Sequence, residues 1–236
     1  MPNKTVRRSY EKTAVEQQWS TRELIDAIKA KEIHPAGPPK DATIPVGDPL
    51  QLEPRRGRLY TYRVLPPSDE AGMLIDMGFK LTYKPTSAEA QAIGTATVVT
   101  TTRQDRRGYA FQAVEDASSR FYTFCARIEK VIDGDTLWVW IDYGFRVGGR
   151  RKLRLRGIDT PEMSTRAGVH AREAVVDWLA DVPFIVLSTS QTDKYDRYVA
   201  DVFYLAGEVT PEVVLQEGVY LNQRLLDEGL AKAFVG

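Results

Sequence analysis

The strongest constraint on the fold of this chain is a strand of alternating residues that lies between two acidic turns. The segment from Lys152 to Arg156 has a cation at every second position, with Leu153 and Leu155 between them. Successive side chains of a β-strand point to opposite faces, so the leucines share one face and the cations share the other. This pattern predicts a strand with a core on one side and an anionic ligand on the other.

Each end of this region carries a carboxylate beside a residue that bends the chain. Asp135 lies in the turn Asp133–Thr136, and Asp159 opens the segment Asp159–Glu162, which contains Pro161. Carboxylate and carbonyl oxygens are the ligands that hard cations such as Ca²⁺ prefer. A divalent cation beside guanidinium groups suits phosphodiester cleavage, because negative charge builds up on the phosphate oxygens. Taken singly, the two segments also fit an ordinary turn and an ordinary helix start.

A third segment, Thr192–Arg197, follows the first two and makes the set more specific. The ordered set, with Arg154 five residues before Asp159, resembles the staphylococcal nuclease (thermonuclease) family over residues about 121–236. The resemblance implies an α+β fold, with a five-stranded OB-fold barrel and packed helices. It also implies a calcium-dependent nuclease.

The resemblance implies a role for each matching residue. The implied metal ligands are Asp135, Asp159 and the backbone carbonyl of Thr160, the implied catalytic residues are Arg154, Glu162 and Arg197, and the implied contacts to a terminal phosphate are Lys194 and Tyr195. Glu162 would activate the attacking water, and the two arginines would hold the scissile phosphate. A guanidinium is a planar fork that matches two phosphate oxygens.

The chain departs from the family pattern in two places. Asp196 stands where the family often has glycine, and Phe234 stands near a position where family members place a tyrosine. Arg156 lies two residues after Arg154 and is therefore predicted on the same face of the strand. For Arg156 a solvated charge or a contact at the rim of the substrate site is the favoured interpretation.

The net charge of the chain is +0, so attraction to nucleic acid must come from a local patch. Six cations and no acid lie between Arg146 and Arg156, which suits a protein that contacts the phosphate backbone. Cys125 is the only cysteine, which excludes an internal disulfide. The polar N-terminus lacks a signal-peptide pattern, and no segment is long and apolar enough for a transmembrane helix. We therefore expect a cytoplasmic protein with no membrane partner.

Three domains are predicted. Residues 1–55 form a helical segment and a linker rich in proline and glycine, residues 56–118 form a small β-rich module without catalytic residues, and residues 119–236 form the nuclease-like domain. Helices are predicted within Tyr10–Gln18 and Ser20–Glu32. The N-terminal half is expected to dock a partner or to pack on the nuclease-like domain. A DNA-binding helix-turn-helix is a less favoured alternative.

Two segments of the β-rich module match two segments of the nuclease-like domain in the same order. Arg58–Val64 matches Arg120–Ala126, and Ile75–Lys80 matches Ile141–Arg146. These matches predict a duplicated partial barrel. Chance similarity between aromatic strands is the alternative.

Within residues 119–236 the pattern predicts five strands and two helices. The strands are Tyr122–Val131, Thr136–Asp142, Lys152–Ile158, Phe184–Ser190 and Val199–Leu205, and the helices are Gly168–Ala180 and Leu221–Glu228. Gly207–Gly218 is predicted as an additional loop or helix. Trp138 and Trp140 share one strand face, and core packing is favoured over base stacking for both.

The sequence thus supports two functional hypotheses. The first, which the resemblance implies, is a calcium-dependent nuclease that hydrolyses DNA, and RNA as a further substrate, with little sequence preference and leaves 3′ phosphates. The second is an OB-type module that binds nucleic acid or protein without cleavage. The presence of all five principal side chains favours the first hypothesis.

Overall fold

The computed structural model describes residues 51–69, 72–103, 109–115, 121–192 and 198–234, which fall within one unit of the chain, Ile44–Gly236. The helices predicted between Tyr10 and Glu32 lie outside the described residues. The domain boundaries at residues 55 and 118 stay a prediction.

The described residues form two sheets, a two-stranded ribbon and four helices. The strands are β1 (Thr61–Ser68), β2 (Gly72–Gly78), β3 (Leu81–Tyr83), β4 (Val98–Arg103), β5 (Tyr109–Ala113), β6 (Thr123–Val131), β7 (Thr136–Asp142), β8 (Gly148–Leu155), β9 (Ile158–Asp159), β10 (Ile185–Thr192), β11 (Tyr198–Tyr204), β12 (Val219–Tyr220) and β13 (Lys232–Ala233). The helices are α1 (Ser87–Ile93), α2 (Arg166–Trp178), α3 (Pro211–Glu217) and α4 (Leu221–Asp227).

The second sheet closes into a barrel. Strands β6, β7 and β8 form an antiparallel meander, and β10 returns beside β6. Strand β11 pairs with β10 in antiparallel orientation and with β8 in parallel orientation. This last pairing joins the two ends of the sheet, so five strands form a closed barrel. The predicted five-stranded OB-fold barrel with packed helices is confirmed.

The alternation of β7 and β8 decides which side chains fill the barrel. Leu137, Val139 and Ile141 of β7 have no exposed surface, and Leu153 and Leu155 of β8 are buried beside them. Burial of such side chains is the main favourable contribution to folding. The intervening side chains of both strands therefore lie on the outside of the barrel.

The predicted element boundaries are correct within a few residues except at β8. The strand predicted over Lys152–Ile158 ends at Leu155 and resumes as β9 at Ile158. Gly157 has a φ of +75°, a left-handed conformation that interrupts the strand. The segment Gly207–Gly218 contains helix α3, which begins with Thr210 as its N-cap.

The first sheet repeats the strand order of the barrel. Its order is β3-β2-β1-β4-β5, and the barrel runs β8-β7-β6-β10-β11. Helix α1 lies between β3 and β4 just as α2 lies between the meander and β10. Among the described strands β3 and β5 do not pair, so the first sheet stays open.

The backbone conformation is repeated as well. Each sheet has a run of three residues with positive φ at the end of the second strand of its meander: Gly78, Phe79 and Lys80 in the first sheet, and Gly144, Phe145 and Arg146 in the barrel. Each sheet also has a tyrosine with positive φ before its first strand, which is Tyr60 in the first sheet and Tyr122 in the barrel. Non-glycine residues seldom adopt this conformation. The same rare geometry at matched positions is what an internal duplication predicts.

The two sheets share one hydrophobic core. The rings of Tyr62 in the first sheet and Phe145 after β7 of the barrel pack with centroids 5.2 Å apart. The rings of Phe79 in the first sheet and Phe124 in the barrel pack with centroids 6.0 Å apart. The contacts are reciprocal, because each sheet inserts the phenylalanine of its positive-φ run beside the first strand of the other.

A segment before the first sheet packs along the barrel. The backbone N–H of Leu52 donates to Gln223 Oε1 at 2.7 Å. The guanidinium of Arg56 donates to the carbonyls of Leu215 and Gly218 and lies 4.3 Å from the ring centroid of Phe203. Residues 52–56 therefore connect helices α3 and α4 to the start of the first sheet.

Candidate active site

The turn between β6 and β7 buries the carboxylate of Asp135. Asp133 Oδ1 accepts a hydrogen bond from the backbone N–H of Asp135 at 3.1 Å, which shapes the turn. The Thr136 hydroxyl donates to Asp135 Oδ1 at 3.0 Å, and the backbone N–H of Thr160 donates to Oδ2 at 2.9 Å. The carboxylate is buried, so these donors replace the water it has lost.

The guanidinium of Arg154 bridges the two acidic turns. Its Nη1 donates to Asp135 Oδ1 at 2.7 Å, and its Nη2 donates to Asp159 Oδ1 and to the carbonyl of Ile158. The side chain of Asp159 is 58% exposed, whereas that of Asp135 is 3% exposed. Two carboxylates that are far apart in sequence therefore meet at one cation.

The pKa of the Asp135 carboxyl is raised by burial, while the backbone N–H of Thr160 and the charge of Arg154 oppose this rise. Burial disfavours the anion, and nearby positive charge restores it. Arg154 and the backbone N–H of Thr160 therefore offset part of the cost of burying this carboxylate.

The donor chemistry of the site fits a hard cation. Asp135 and Asp159 supply carboxylate oxygens, and Thr160 lies directly beside Asp135. Within the described ranges no group of three or more His, Cys, Asp and Glu side chains is arranged to hold a metal. Two carboxylates and a backbone carbonyl leave room for water ligands, as calcium allows.

Glu162 lies in the loop between β9 and α2. Its backbone carbonyl accepts hydrogen bonds from the backbone N–H of Thr165 at 2.9 Å and from the Thr165 hydroxyl at 2.7 Å. Its side chain is exposed and forms no hydrogen bond or ion pair with another described residue. The backbone is thus held firmly while the carboxylate faces solvent.

Two glycines hold this loop against its neighbours, and the motif analysis did not single them out as site residues. A Cβ at Gly134 would meet the Thr160 side chain at 2.7 Å, and a Cβ at Gly168 would collide with the carbonyl of Glu162. Both positions need the smallest residue because backbone and loop approach closely. The only signal in the sequence is the position of each glycine, inside the acidic turn and inside the first turn of α2.

Arg156 differs from the expectation of a solvated charge or a rim contact. The chain leaves β8 before this residue, and its guanidinium forms two hydrogen bonds with the buried carboxylate of Asp201, at 2.6 and 2.7 Å. It also donates to the hydroxyl of Tyr220 at 3.1 Å. Strand parity placed Arg156 beside Arg154, but the buried Asp201 of the neighbouring strand β11 holds its guanidinium in a structural ion pair.

The core-packing interpretation of Trp138 and Trp140 is wrong for Trp140. Both side chains lie on the outer face of β7, opposite the buried Leu137, Val139 and Ile141. Trp140 is 43% exposed, and Trp138 is partly covered by the guanidinium of Arg150 at 4.4 Å. The alternation was correct, but the inner face belongs to the aliphatic residues.

The end of the described chain returns to the site. Strand β13 pairs with β9, with Lys232 opposite Asp159. The backbone N–H of Phe234 then donates to the carbonyl of Gly157 at 2.9 Å. The ring of Phe234 is exposed and its centroid lies 6.0 Å from Cζ of Arg154. An aromatic surface therefore stands beside the bridging arginine.

Three predicted site residues, Lys194, Tyr195 and Arg197, lie outside the described residues. Their assignments stay predictions, as do the roles assigned to the other site residues.

Comparison with known families agrees with this geometry. A family model described as staphylococcal nuclease homologue matches residues 152–235. The matched residues begin in β8, and from there onward the barrel is similar to a staphylococcal nuclease domain. The match therefore includes Arg154, Asp159 and Glu162 but not Asp135. The tertiary structure, rather than the family match, joins Asp135 to this nuclease-like domain.

One curated relative extends beyond the nuclease-like domain. It is a protein of Capnoides sempervirens named as an uncharacterized 38.1 kDa protein, 26% identical over 177 residues. The aligned region covers 70% of this chain and 51% of that protein. The chain thus spans about half the length of the curated relative it matches. None of the helices in the described ranges is long and apolar enough to cross a membrane.

Proposed function

We propose that the nuclease-like domain is a calcium-dependent phosphodiesterase that hydrolyses DNA, and RNA as a further substrate. The observation that carries this proposal is the meeting of Asp135, Arg154 and Asp159 in one hydrogen-bonded cluster. The two carboxylates can bind a cation, and the adjacent guanidinium can bind a phosphate. Phosphodiester hydrolysis requires both kinds of group.

Asp135, Asp159 and the carbonyl of Thr160 would hold Ca²⁺. The bound ion supplies positive charge that polarises the scissile phosphate. Two carboxylates already orient Arg154. Its remaining N–H groups can therefore bind the phosphate with little loss of side-chain conformational freedom. Arg197 would offer a second guanidinium to the same phosphate, and Lys194 and Tyr195 would contact a terminal phosphate.

In the proposed reaction a water oxygen forms a bond to phosphorus while the bond from phosphorus to the 5′ oxygen breaks. Glu162 takes the proton of the water, for which its exposed carboxylate is available. The electron pair of the broken bond leaves with the 5′ oxygen, which takes up a proton from solvent. The products are a 3′ phosphate and a 5′ hydroxyl.

The test uses the purified full chain with labelled single-stranded and double-stranded DNA and RNA. Each substrate is incubated with calcium and, in parallel, with a chelator of calcium, and the products are separated on a gel. Calcium-dependent shortening with 3′-phosphate ends is the expected result. Nucleic acid that stays intact but migrates slowly in complex with the protein would favour the alternative of a binding module without cleavage.

The role of the N-terminal half stays a prediction and has its own test. Deletion of residues 1–50 leaves Leu52 and Arg56, which contact the barrel, in place. A docking role predicts weaker binding of long substrates or of a partner with unchanged turnover of short substrates. Unchanged binding of both kinds would exclude a docking role for that segment.

A further inference from the structure

The outer face of strands β6, β7 and β8 forms a ladder of cations and tryptophans. In one rung Trp140 of β7 lies opposite Arg127 of β6 and Arg150 of β8. In the next rung, two residues along, Trp138 lies between Lys130 and Lys152. We call these two rungs the basic-aromatic ladder.

The ladder leads to the candidate active site. The rung after Trp138 and Lys152 pairs Thr136 with Arg154, the arginine that bridges Asp135 and Asp159. Two residues of a strand span about 7 Å, so the exposed indole of Trp140 lies two such steps from Arg154. The ladder and the site therefore form one continuous strip along the barrel.

Three of the four cations of the ladder have no acidic partner among the described residues. Arg127, Lys130 and Lys152 form no ion pair with another residue of the described ranges. Glu129 is the acid on this face, and its carboxylate binds Arg150 at 2.5 Å. Asp142 is the last residue of β7, at the end away from the candidate active site. Its carboxylate accepts a hydrogen bond from the backbone N–H of Gly144. The net charge of the two rungs is positive although the whole chain has a net charge of +0.

The two indoles differ in what they offer to a ligand. Trp138 is stacked with the guanidinium of Arg150, whose position is set by Glu129. Trp140 is 43% exposed and is flanked by two arginines, and its ring edge lies over Gly148. A large exposed aromatic group on a positively charged face is unfavourable as plain surface but suits a ligand with both rings and negative charges.

We propose that the basic-aromatic ladder binds a single strand of nucleic acid and leads it to Arg154. A base stacks on Trp140, and the phosphates follow Arg127, Lys130 and Lys152. The bases of a duplex are already stacked on one another, so only a single strand can offer a base to an exposed indole. The link to the active site rests on the proposed nuclease function, whereas the binding itself does not.

The test measures binding of a fluorescent single-stranded oligonucleotide and of the matching duplex in the presence of a calcium chelator, which suppresses cleavage. Trp140→Ala is expected to weaken single-strand binding roughly 5- to 150-fold, in line with the loss of one stacked base. Duplex binding is expected to change by less than about twofold, because this stack is absent there. Trp140→Phe should retain most of the affinity, and Val176→Ala, on an exposed apolar residue of α2, should have no effect.

A second measurement addresses the cations. The slope of log affinity against log salt concentration is expected to fall by about 0.7 in Arg127→Ala, as for the loss of one phosphate contact to a single strand. Equal losses of single-strand and duplex binding in Trp140→Ala, unchanged affinity in that variant, or no oligonucleotide binding by the unmodified chain would each overturn the proposal.

The two proposals fail separately. If binding depends on Trp140 but no calcium-dependent cleavage occurs, the proposal that the ladder binds a single strand is supported and the nuclease proposal is rejected. Cleavage with an affinity and a KM that Trp140→Ala does not change would support the nuclease and reject the ladder.

Discussion

The hydroxyl of Tyr62 donates a hydrogen bond to the backbone carbonyl of Tyr143 at 2.7 Å, which joins the first sheet to the barrel. Both residues are buried. A Cβ on Gly144 would lie only 2.5 Å from the same hydroxyl, so the glycine makes room for the bond. A second bond between the two sheets runs the other way, from the hydroxyl of Tyr122 to Asp76 Oδ2 at 2.6 Å. Each sheet thus donates one tyrosine hydroxyl to the other, from positions that the repeat does not match.

Tyr62→Phe is expected to lower the free energy of unfolding by about 1–3 kcal/mol, because the Tyr143 carbonyl would be left buried without its partner. Chemical denaturation followed by circular dichroism measures the change. Tyr109→Phe is the matched control, since the hydroxyl of this half-buried tyrosine forms no hydrogen bond with another described residue. Equal stability of Tyr62→Phe and the unmodified chain would contradict a role for this bond in joining the sheets.

Arg154→Lys is expected to reduce nuclease activity by about 10²–10³-fold. Lysine keeps the charge but lacks the fork that contacts Asp135 and Asp159 together. Initial rates on single-stranded DNA with saturating calcium provide the measurement. The control is Arg166→Lys at an exposed position of α2. A rate close to that of the unmodified chain would show that the two-pronged geometry of Arg154 is dispensable.

Glu162→Gln is expected to lower the cleavage rate by about 10²–10⁴-fold with little change in DNA binding or in melting temperature. The side chain is exposed and forms no hydrogen bond or ion pair with another described residue, so its replacement removes a base with little effect on packing. Glu173→Gln, an exposed carboxylate on α2, serves as the control. Unchanged cleavage would remove Glu162 from the mechanism.

Cys125 is expected to react slowly with alkylating reagents near pH 8 in the native chain. Burial raises the pKa of its thiol to about 11, and the hydrogen bond with Tyr60 opposes this rise. Rapid labelling after denaturation would show that the fold protects the thiol. A native rate equal to the denatured rate would contradict it.

The same shift has a consequence for stability. An unfolded chain loses the thiol proton near pH 8.5, well below the folded value of about 11. The contribution of Cys125 is therefore complete below this pH and is lost as the pH rises toward about 11. Comparison of Cys125→Ala with the unmodified chain across this range isolates it from the tyrosines. Parallel stability curves would contradict the shift.

Arg56→Met is expected to lower the free energy of unfolding by roughly 1–2 kcal/mol, because the carbonyls of Leu215 and Gly218 lose a charged donor. Arg58→Met is the control, as this exposed arginine forms no ion pair or hydrogen bond with another described residue. Similar midpoints in urea for the two variants would show that residues 52–56 contribute little to the stability of the barrel.

The acidic turns and the alternating strand predicted much of the candidate site. They identified Asp135, Arg154 and Asp159 by residue type and order, and the structure brings these three side chains together. Turn chemistry and the period of two are local properties, so a single sequence displays them directly. The same locality explains why the boundaries of β7 were predicted without error.

The alternation of residues along a strand could not predict which side chains find an environment different from that of their neighbours in the pattern. Arg156 has the parity of a site residue, but the buried Asp201 of β11 holds its guanidinium in an ion pair. The exposure of Trp140 depends likewise on which face of β7 the barrel closes over. A period of two separates the faces of a strand without stating which face is inside, and long-range packing decides that.

By itself, therefore, the sequence determined the residue types of the site, the alternation of the barrel strands and the repeat that relates the two sheets. Only the tertiary structure decided that Asp135 and Asp159 share one guanidinium, because the loop after β9 must fold back onto the turn before β7. It also decided the open or closed state of each sheet, since closure depends on the parallel pairing of β8 with β11. Such pairings join residues distant in the chain, and no local preference encodes them.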